Sequence, residues 1–135
     1  MSGLAGGVFS MRNVSSWFLR TGVTLVVFGM ALGLYMATHE NFTLMPVHAH
    51  MNVIGWLSFF VIGLYYRVNP DAGAGALPVL QYWFLLIGIL LMIISLSLFL
   101  TTGVAFWGPV AGISGLLMLI GMILFAVTVY KSTGS

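Results

Sequence analysis

The sequence predicts an all-α integral membrane protein built as a bundle of four transmembrane helices. Of its 135 residues, 61% are apolar and 4% are charged, whereas a soluble globular domain carries about 25% charged residues. The mean hydropathy is +1.14. Each of four apolar blocks reaches the roughly 20 residues that cross a hydrocarbon core of about 30 Å. These predicted helices cover residues 17–38, 47–67, 78–100 and 104–130 of one domain, 1–135.

The breaks between the blocks carry residues that end or begin helices. The first is a short polar loop that ends at Pro46, a residue suited to the first turn of a helix. The second, 69–75, combines an Asn-Pro pair with two glycines and predicts a flexible turn. The third opens at Thr101. It either extends through Pro109 or places that proline inside the fourth span, where it would kink the helix.

Composition also narrows the class of protein and its partners. The chain has no cysteine, which excludes disulfides, thiolate-bound clusters and covalently attached c-type haem. A formal net charge of +2 without a basic run argues against nucleic acid as a partner and leaves the lipid membrane. The first eleven residues lack the basic-then-apolar order of a cleaved signal peptide, so an uncleaved first span is expected.

The positions of the basic residues predict the orientation in the membrane. Cytoplasmic loops carry the excess of lysine and arginine, so we expect a multi-pass protein of a bacterial inner membrane with both termini in the cytoplasm. The basic residues that then share the cytoplasmic side are Arg12, Arg20, Arg67 and Lys131. The aromatic side chains expected in a belt at that interface are Tyr65, Tyr66, Tyr82, Trp83 and Tyr130.

Two of the three histidines lie at the start of the second span, near the outer surface in this orientation. A full charge at mid-helix costs roughly 2.5–3.5 kcal/mol, so titratable rings there indicate ligands or partners. Imidazole binds haem iron, copper and zinc. Positions i and i+2 of an α-helix are about 200° apart, so His48 and His50 face nearly opposite sides and cannot chelate one metal together. We therefore expect two compartments and a homo-oligomer that supplies them.

Other residues near this pair have two possible roles each. Asn52 forms either a helix–helix hydrogen bond or a hydrogen bond that orients an imidazole. Trp56 is either packing or a flat wall for a cofactor, and His39 is either a solvated loop residue or a further metal ligand. Glu40 is a loop anion within reach of an imidazole. The histidine pair itself has a structural alternative, in which both rings bond to loop carbonyls or lipid headgroups.

Glycines leave one face of three of the predicted helices without bulky side chains. Gly29-xxx-Gly33 in the first span and Gly108-xxx-Gly112 in the fourth are close-packing patterns, and Gly55 thins one face of the second. Such faces predict either tight helix association or room for a bulky planar ligand.

The segment His48-Ala49-His50, preceded by Pro46 and followed by Asn52 and Trp56, resembles the haem–copper oxidase catalytic subunit and the related nitric oxide reductases. It is also similar to haem-containing membrane proteins of the nitric oxide response. In the oxidase family, twelve helices form three four-helix arcs, and a His-x-His pair binds two haems on either side of one helix. The resemblance implies haem b iron bound by His48 or His50, possible copper, and a homotrimer of four-helix units.

That resemblance also implies electron transfer or binding of oxygen or nitric oxide and, for an enzyme, oxidoreductase activity with a redox partner. The family's copper site needs three further histidines, and only His39 remains here. The spans also lack a carboxylate for a proton relay. The alternative is a copper-binding or copper-transport protein that uses outward-facing histidines together with Met45 and Met51. A structural subunit of a respiratory complex would give the histidines no purpose.

Overall fold

The computed structural model describes residues 2–134, and the side chains of residues 14–134. The predictions on Arg12 and on the first eleven residues concern side chains outside this range. Four helices make up the fold: α1 (Ser2–His39), α2 (Met45–Val68), α3 (Ala76–Thr102) and α4 (Trp107–Thr133). Each is long and apolar enough to span a membrane, with Val14–His39 as the spanning part of α1. The all-α, four-span prediction is confirmed, and within the described residues there is no strand.

The helices extend beyond the predicted apolar blocks at most of their ends. The largest difference is in α1, which begins at Ser2 and not near residue 17, because a helix can continue through small and polar residues outside the apolar core. The third connection contains only residues 103–106, so Pro109 lies in the first turn of α4. The alternative in which this connection extends through Pro109 is therefore wrong. Proline is tolerated in the first turn because the N–H groups of that turn have no intrahelical acceptor.

The helices pack as two antiparallel pairs, α1 with α2 and α3 with α4. Aromatic rings join the pairs at the end of the bundle where α2 ends and α3 begins; there, Phe18 meets Tyr82 edge-on at 5.1 Å. Within the second pair, Gly88 receives Met118 and Gly121 receives Leu85; a β-carbon at either glycine would lie 2.6 Å from the opposing side chain. Within the chain, the predicted glycine pattern of α4 is occupied at one position only: a β-carbon at Gly108 would lie 3.4 Å from Phe99, and nothing lies within 4 Å of one at Gly112.

The bundle has two chemically different ends. The basic end contains Arg67 and Lys131, where α2 and α4 terminate. The histidine end contains His39, His48 and His50, where α1 terminates and α2 begins. This arrangement matches the predicted separation of basic residues from histidines.

Two of the five predicted belt residues are instead in the core. Tyr66 and Tyr82 are 1% and 8% exposed. The Tyr66 hydroxyl donates to the side-chain carbonyl of Gln81, and the Tyr82 hydroxyl lies 2.8 Å from that of Thr21. A buried hydroxyl needs such a partner, and these polar residues on neighbouring helices supply it.

Candidate functional site

His48 is half-buried between α1 and α2 and bonds to the backbone of the neighbouring helix. Its Nδ1 lies 2.8 Å from the carbonyl oxygen of Gly29. A carbonyl oxygen only accepts hydrogen bonds, so Nδ1 carries the proton and the lone pair of the neutral ring is on Nε2. The histidine thus connects two helices through one nitrogen and keeps the other as a potential ligand.

The glycines of α1 make this position possible. A β-carbon at Gly33 would lie 2.8 Å from Cε1 of His48, and one at Gly29 would lie 2.9 Å from Oδ1 of Asn52. Both distances are shorter than ordinary van der Waals contact. The pattern predicted to give close packing or room for a ligand therefore accommodates the side chains of His48 and Asn52.

Asn52 contacts the His48 ring without taking its lone pair. Its amide nitrogen donates to the His48 carbonyl at 2.8 Å and lies 3.2 Å from Nδ1 and 3.4 Å from Nε2. The lone pair of Nε2 points away from Nδ1, so a group almost equidistant from both nitrogens is not on the axis of either. Asn52 therefore supports the ring from the side, within the contact between α1 and α2.

His50 is also half-buried but lies on the other side of the buried row that contains Val47 and Met51. Its Nδ1 is 2.7 Å from the carbonyl oxygen of Pro46, one turn earlier in α2. The same reasoning assigns the proton to Nδ1. Within the described part of the chain, Nε2 of His50 has no hydrogen-bond partner, whereas Nε2 of His48 has the Asn52 amide 3.4 Å away.

The other two predicted site residues lie apart from this pair. His39 ends α1, with Nδ1 2.9 Å from the Tyr35 carbonyl and its ring 4.2 Å from the Tyr35 ring. Trp56 is eight residues, about two helical turns, beyond His48, and its ring contacts Phe60 at 4.6 Å. Trp56 thus lies deeper in the span than the His48 ring, and His39 is an exposed residue with its own Nε2 available.

The number of potential ligands limits what one chain can bind. Among residues 14–134, no three side chains of His, Asp or Glu are close enough together to hold a metal ion. A metal at the histidine end therefore takes fewer than three such ligands from one chain. This fits an axial ligand of a cofactor, or a site that several copies share, better than a closed four-ligand site.

A π-helical segment, Met51–Ser58, directly follows the histidines in α2. The wider turns of a π-helix are rare, occur mostly as single-turn bulges within α-helices, and are frequent at functional sites. They change the register from that of a regular α-helix, in which Gly55 and Phe59, seven and eleven residues after His48, would lie below it on the same face. In the structure these two residues are instead buried in the row of Val47 and Met51, at intervals of four. In an α-helix, residues four positions apart are rotated by about 40° relative to each other about the helix axis, so such a row would wind around the helix. The π turns contain more residues per turn and offset this rotation, so the row stays on one face.

A cavity of about 350 Å³ lies at the histidine end, between the end of α1, the loop after it and the end of α3. Tyr35, Met36 and Leu100 form its apolar wall, and Asn41, Thr43 and Thr101 supply polar groups. No histidine lines this cavity, so it is separate from the candidate ligand atoms.

No family model, curated protein or solved structure matches the chain. The function therefore has to be argued from the geometry of the histidine end. The resemblance to the haem–copper oxidases depends on residues 39–66 together with the four-span layout.

Proposed function

We propose that this chain is a membrane-embedded protein that binds b-type haem and is related to the haem–copper oxidase catalytic subunit. The observation that supports this most is the hydrogen bonding of His48 and His50. Each ring donates Nδ1–H to a backbone carbonyl, which directs the lone pair to Nε2. Metal-binding histidines nearly always donate their second N–H in this way, because the bond fixes the tautomer and the ring orientation.

The residues present fit an axial haem ligand. His50 is the preferred one, because its Nε2 has no partner among the described residues, whereas the His48 ring is confined by Gly33 and Asn52. His48 is then the potential ligand in the neighbouring compartment, on the side of α2 that faces α1. Haem iron, when bound, supplies reversible one-electron chemistry and, with an open axial position, binding of a diatomic gas.

The ligand set favours electron transfer, or binding of oxygen or nitric oxide, over complete oxygen reduction. Reduction of oxygen in the family this chain resembles requires a copper site with three further histidines. Residues 14–134 contain no cluster of three potential ligands. The role of the chain's own residues is therefore to hold and orient the cofactor, and a redox partner would supply electrons.

The proposal includes assembly as a homotrimer. His48 and His50 lie on different sides of α2, and one four-helix chain encloses neither side with a second histidine. Three copies arranged as the three arcs of the resembled family would face such surfaces toward one another. We expect native mass spectrometry to show a trimer that retains haem. A monomer with full haem content would contradict the trimer but not the haem ligand.

The absorption spectrum of the purified protein tests the central claim. A protein expressed with adequate haem supply should show a Soret band that shifts on reduction. A shift with carbon monoxide or nitric oxide indicates an open axial position, and its absence indicates two axial histidines. A folded protein that stays colourless after incubation with haem would refute the proposal.

Copper binding is the second candidate, and the structure supports it less. Its predicted sulfur ligands differ in exposure: Met45 is 45% exposed, but Met51 is 6% exposed and lies in the core. Copper(I) sites commonly use thioether ligands, and only Met45 is accessible beside the histidines. A colourless protein that releases copper to a chelator would favour this alternative.

A further inference from the structure

A second cavity, of about 310 Å³, lies at the basic end between the α2–α3 connection, the start of α3 and the end of α4. Asp71 and Lys131 both line it, and within the described residues the two do not form an ion pair. Two opposite charges that face one cavity without pairing favour a ligand that itself carries both signs.

The hydroxyl groups of this cavity complement the two charges. Thr128 donates to the carbonyl of Leu124 at 3.0 Å, and Ser132 donates to that of Val129 at 3.1 Å. The hydroxyl protons are used in these bonds, so oxygen lone pairs remain as acceptors. One lone pair of Ser132 already accepts from the Tyr65 hydroxyl, which leaves one on Ser132 beside those of Thr128. The cavity thus offers a carboxylate and hydroxyl acceptors for a donor-rich cation, and an ammonium group for an anion.

An apolar groove adjoins the cavity along the first two turns of α3. It encloses about 580 Å³ and shares Leu77 with the cavity. Leu80 and Trp83, which form its far part, are 50% and 48% exposed. Charged groups at the helix ends beside an apolar groove that runs into the span match the layout of a phospholipid, with its headgroup at the interface and its chain in the hydrocarbon.

We propose that this cavity and groove bind one phospholipid with a primary-ammonium headgroup, that is, a phosphatidylethanolamine. Lys131 contacts the phosphate, and Asp71 accepts from the ammonium together with the hydroxyl oxygens. The acyl chain passes over Leu77 toward Trp83. A phosphatidylglycerol would place its anion near Asp71 without an ammonium, and the quaternary nitrogen of phosphatidylcholine has no N–H to donate, so both bind more weakly.

Native mass spectrometry of the full chain from nanodiscs of equal parts phosphatidylethanolamine, phosphatidylcholine and phosphatidylglycerol tests this proposal. We expect retained phosphatidylethanolamine to exceed each other lipid by about five-fold, the upper end of what one exposed ion pair contributes. Asp71→Asn should remove this preference, and Lys131→Gln should lower retention of all three lipids. Both residues are exposed, so neither variant should affect folding.

Glu40→Gln is the matched control, because it removes the same charge at the opposite end and should leave the preference unchanged. Equal retention of the three lipids by the unmodified chain would overturn the proposal. So would an unchanged preference in Asp71→Asn. Binding of glycerophosphoethanolamine with the same affinity as the whole lipid would show that the cavity binds a soluble headgroup and that the groove contributes nothing.

Discussion

The polar side chains at the two ends of the bundle differ in how they are hydrogen-bonded. At the basic end, side-chain hydrogen bonds connect α1 to α2: Arg67 donates to Ser15 at 3.1 Å, and Ser15 donates to the Gly63 carbonyl at 2.9 Å. At the histidine end, His48 and His50 each use one ring nitrogen on a backbone carbonyl. A bilayer demands that backbone polar groups be satisfied within the protein. At the basic end the Arg67 and Ser15 side chains therefore link helices, whereas each imidazole at the histidine end keeps the lone pair of Nε2.

The loss of a helix-linking hydrogen bond and the loss of a metal ligand's support have effects of different kinds and sizes. Hydrogen bonds between transmembrane helices average about 0.6 kcal/mol and reach about 1.7. Loss of even a residue that orients a metal ligand typically lowers metal affinity or activity 10–100-fold. Substitutions at the basic end should therefore change stability and leave haem content unchanged, and selected substitutions at the histidine end should do the reverse.

The largest effect is expected from His50→Ala. Haem per protein should fall by more than about tenfold, because a ligand is lost and not only its supporting bond. The Soret absorbance of purified protein, normalised to peptide absorbance, measures it. His39→Ala is the matched control, since His39 bonds to its Tyr35 carbonyl in the same way and should keep the haem. If only His48→Ala loses haem, His48 and not His50 is the haem ligand. If both variants keep their haem, neither histidine is a ligand and both have a structural role.

The next effect concerns the glycine that faces His48. Gly33→Ala places a β-carbon 2.8 Å from the ring, so the ring or the helix must shift, which disturbs the contact between α1 and α2. Overpacking of this kind costs about 1–3 kcal/mol, measurable as a lower unfolding midpoint in a denaturing-detergent titration. Gly112→Ala is the control, because nothing lies within 4 Å of its added β-carbon and alanine favours a helix by up to about 1 kcal/mol. Equal midpoints for both variants would show that the His48 contact is loose.

Much of the fold could be predicted from the sequence because the membrane imposes it. Apolar length and helix-breaking residues locate four spans, and the glycine pattern of α1 marks the face that meets α2. The burial of Tyr66 and Tyr82 was not predictable in this way. An interfacial belt and a polar cluster in the core both suit tyrosine, and only the tertiary arrangement brings Gln81 and Thr21 to the hydroxyls.

The candidate site was predictable in its residues but not in its register. His48, His50 and Asn52 stand out in an apolar sequence, and the prediction that the two rings face different sides agrees with the structure. The π turns of Met51–Ser58 carry no sequence signal that an expectation of about 3.6 residues per turn would detect. The acceptors of the imidazole N–H groups are backbone carbonyls, which are present at every position and so cannot be selected from the sequence.

A smaller effect is expected from Tyr66→Phe at the basic end. The change removes the donor to Gln81, whose side chain is 0% exposed and whose amide nitrogen has no partner within the described residues. Leaving a buried polar group unsatisfied costs about 1–3 kcal/mol. Tyr65→Phe is the matched control and should cost less, because its hydroxyl bonds to the exposed Ser132. Both variants should keep full haem content, and a loss of haem in Tyr66→Phe would contradict the division between the two ends.

The smallest effect compares the residues that follow α1 and α3 at the histidine end. Glu40 has a φ of 49° and Gly103 a φ of 69°, so both occupy the left-handed region that commonly ends a helix. This conformation costs a residue with a side chain roughly 1–2 kcal/mol, partly offset by the greater freedom of glycine in the unfolded chain. Glu40→Gly should therefore stabilise the protein by somewhat under about 1 kcal/mol in the same detergent titration. Gly103→Ala should destabilise it by a similar amount, since its added β-carbon meets nothing within 4 Å and only the backbone term changes. If Glu40→Gly instead lowers stability or haem content, the carboxylate has a partner at the histidine end, and the orientation of an imidazole by Glu40 becomes the explanation to test.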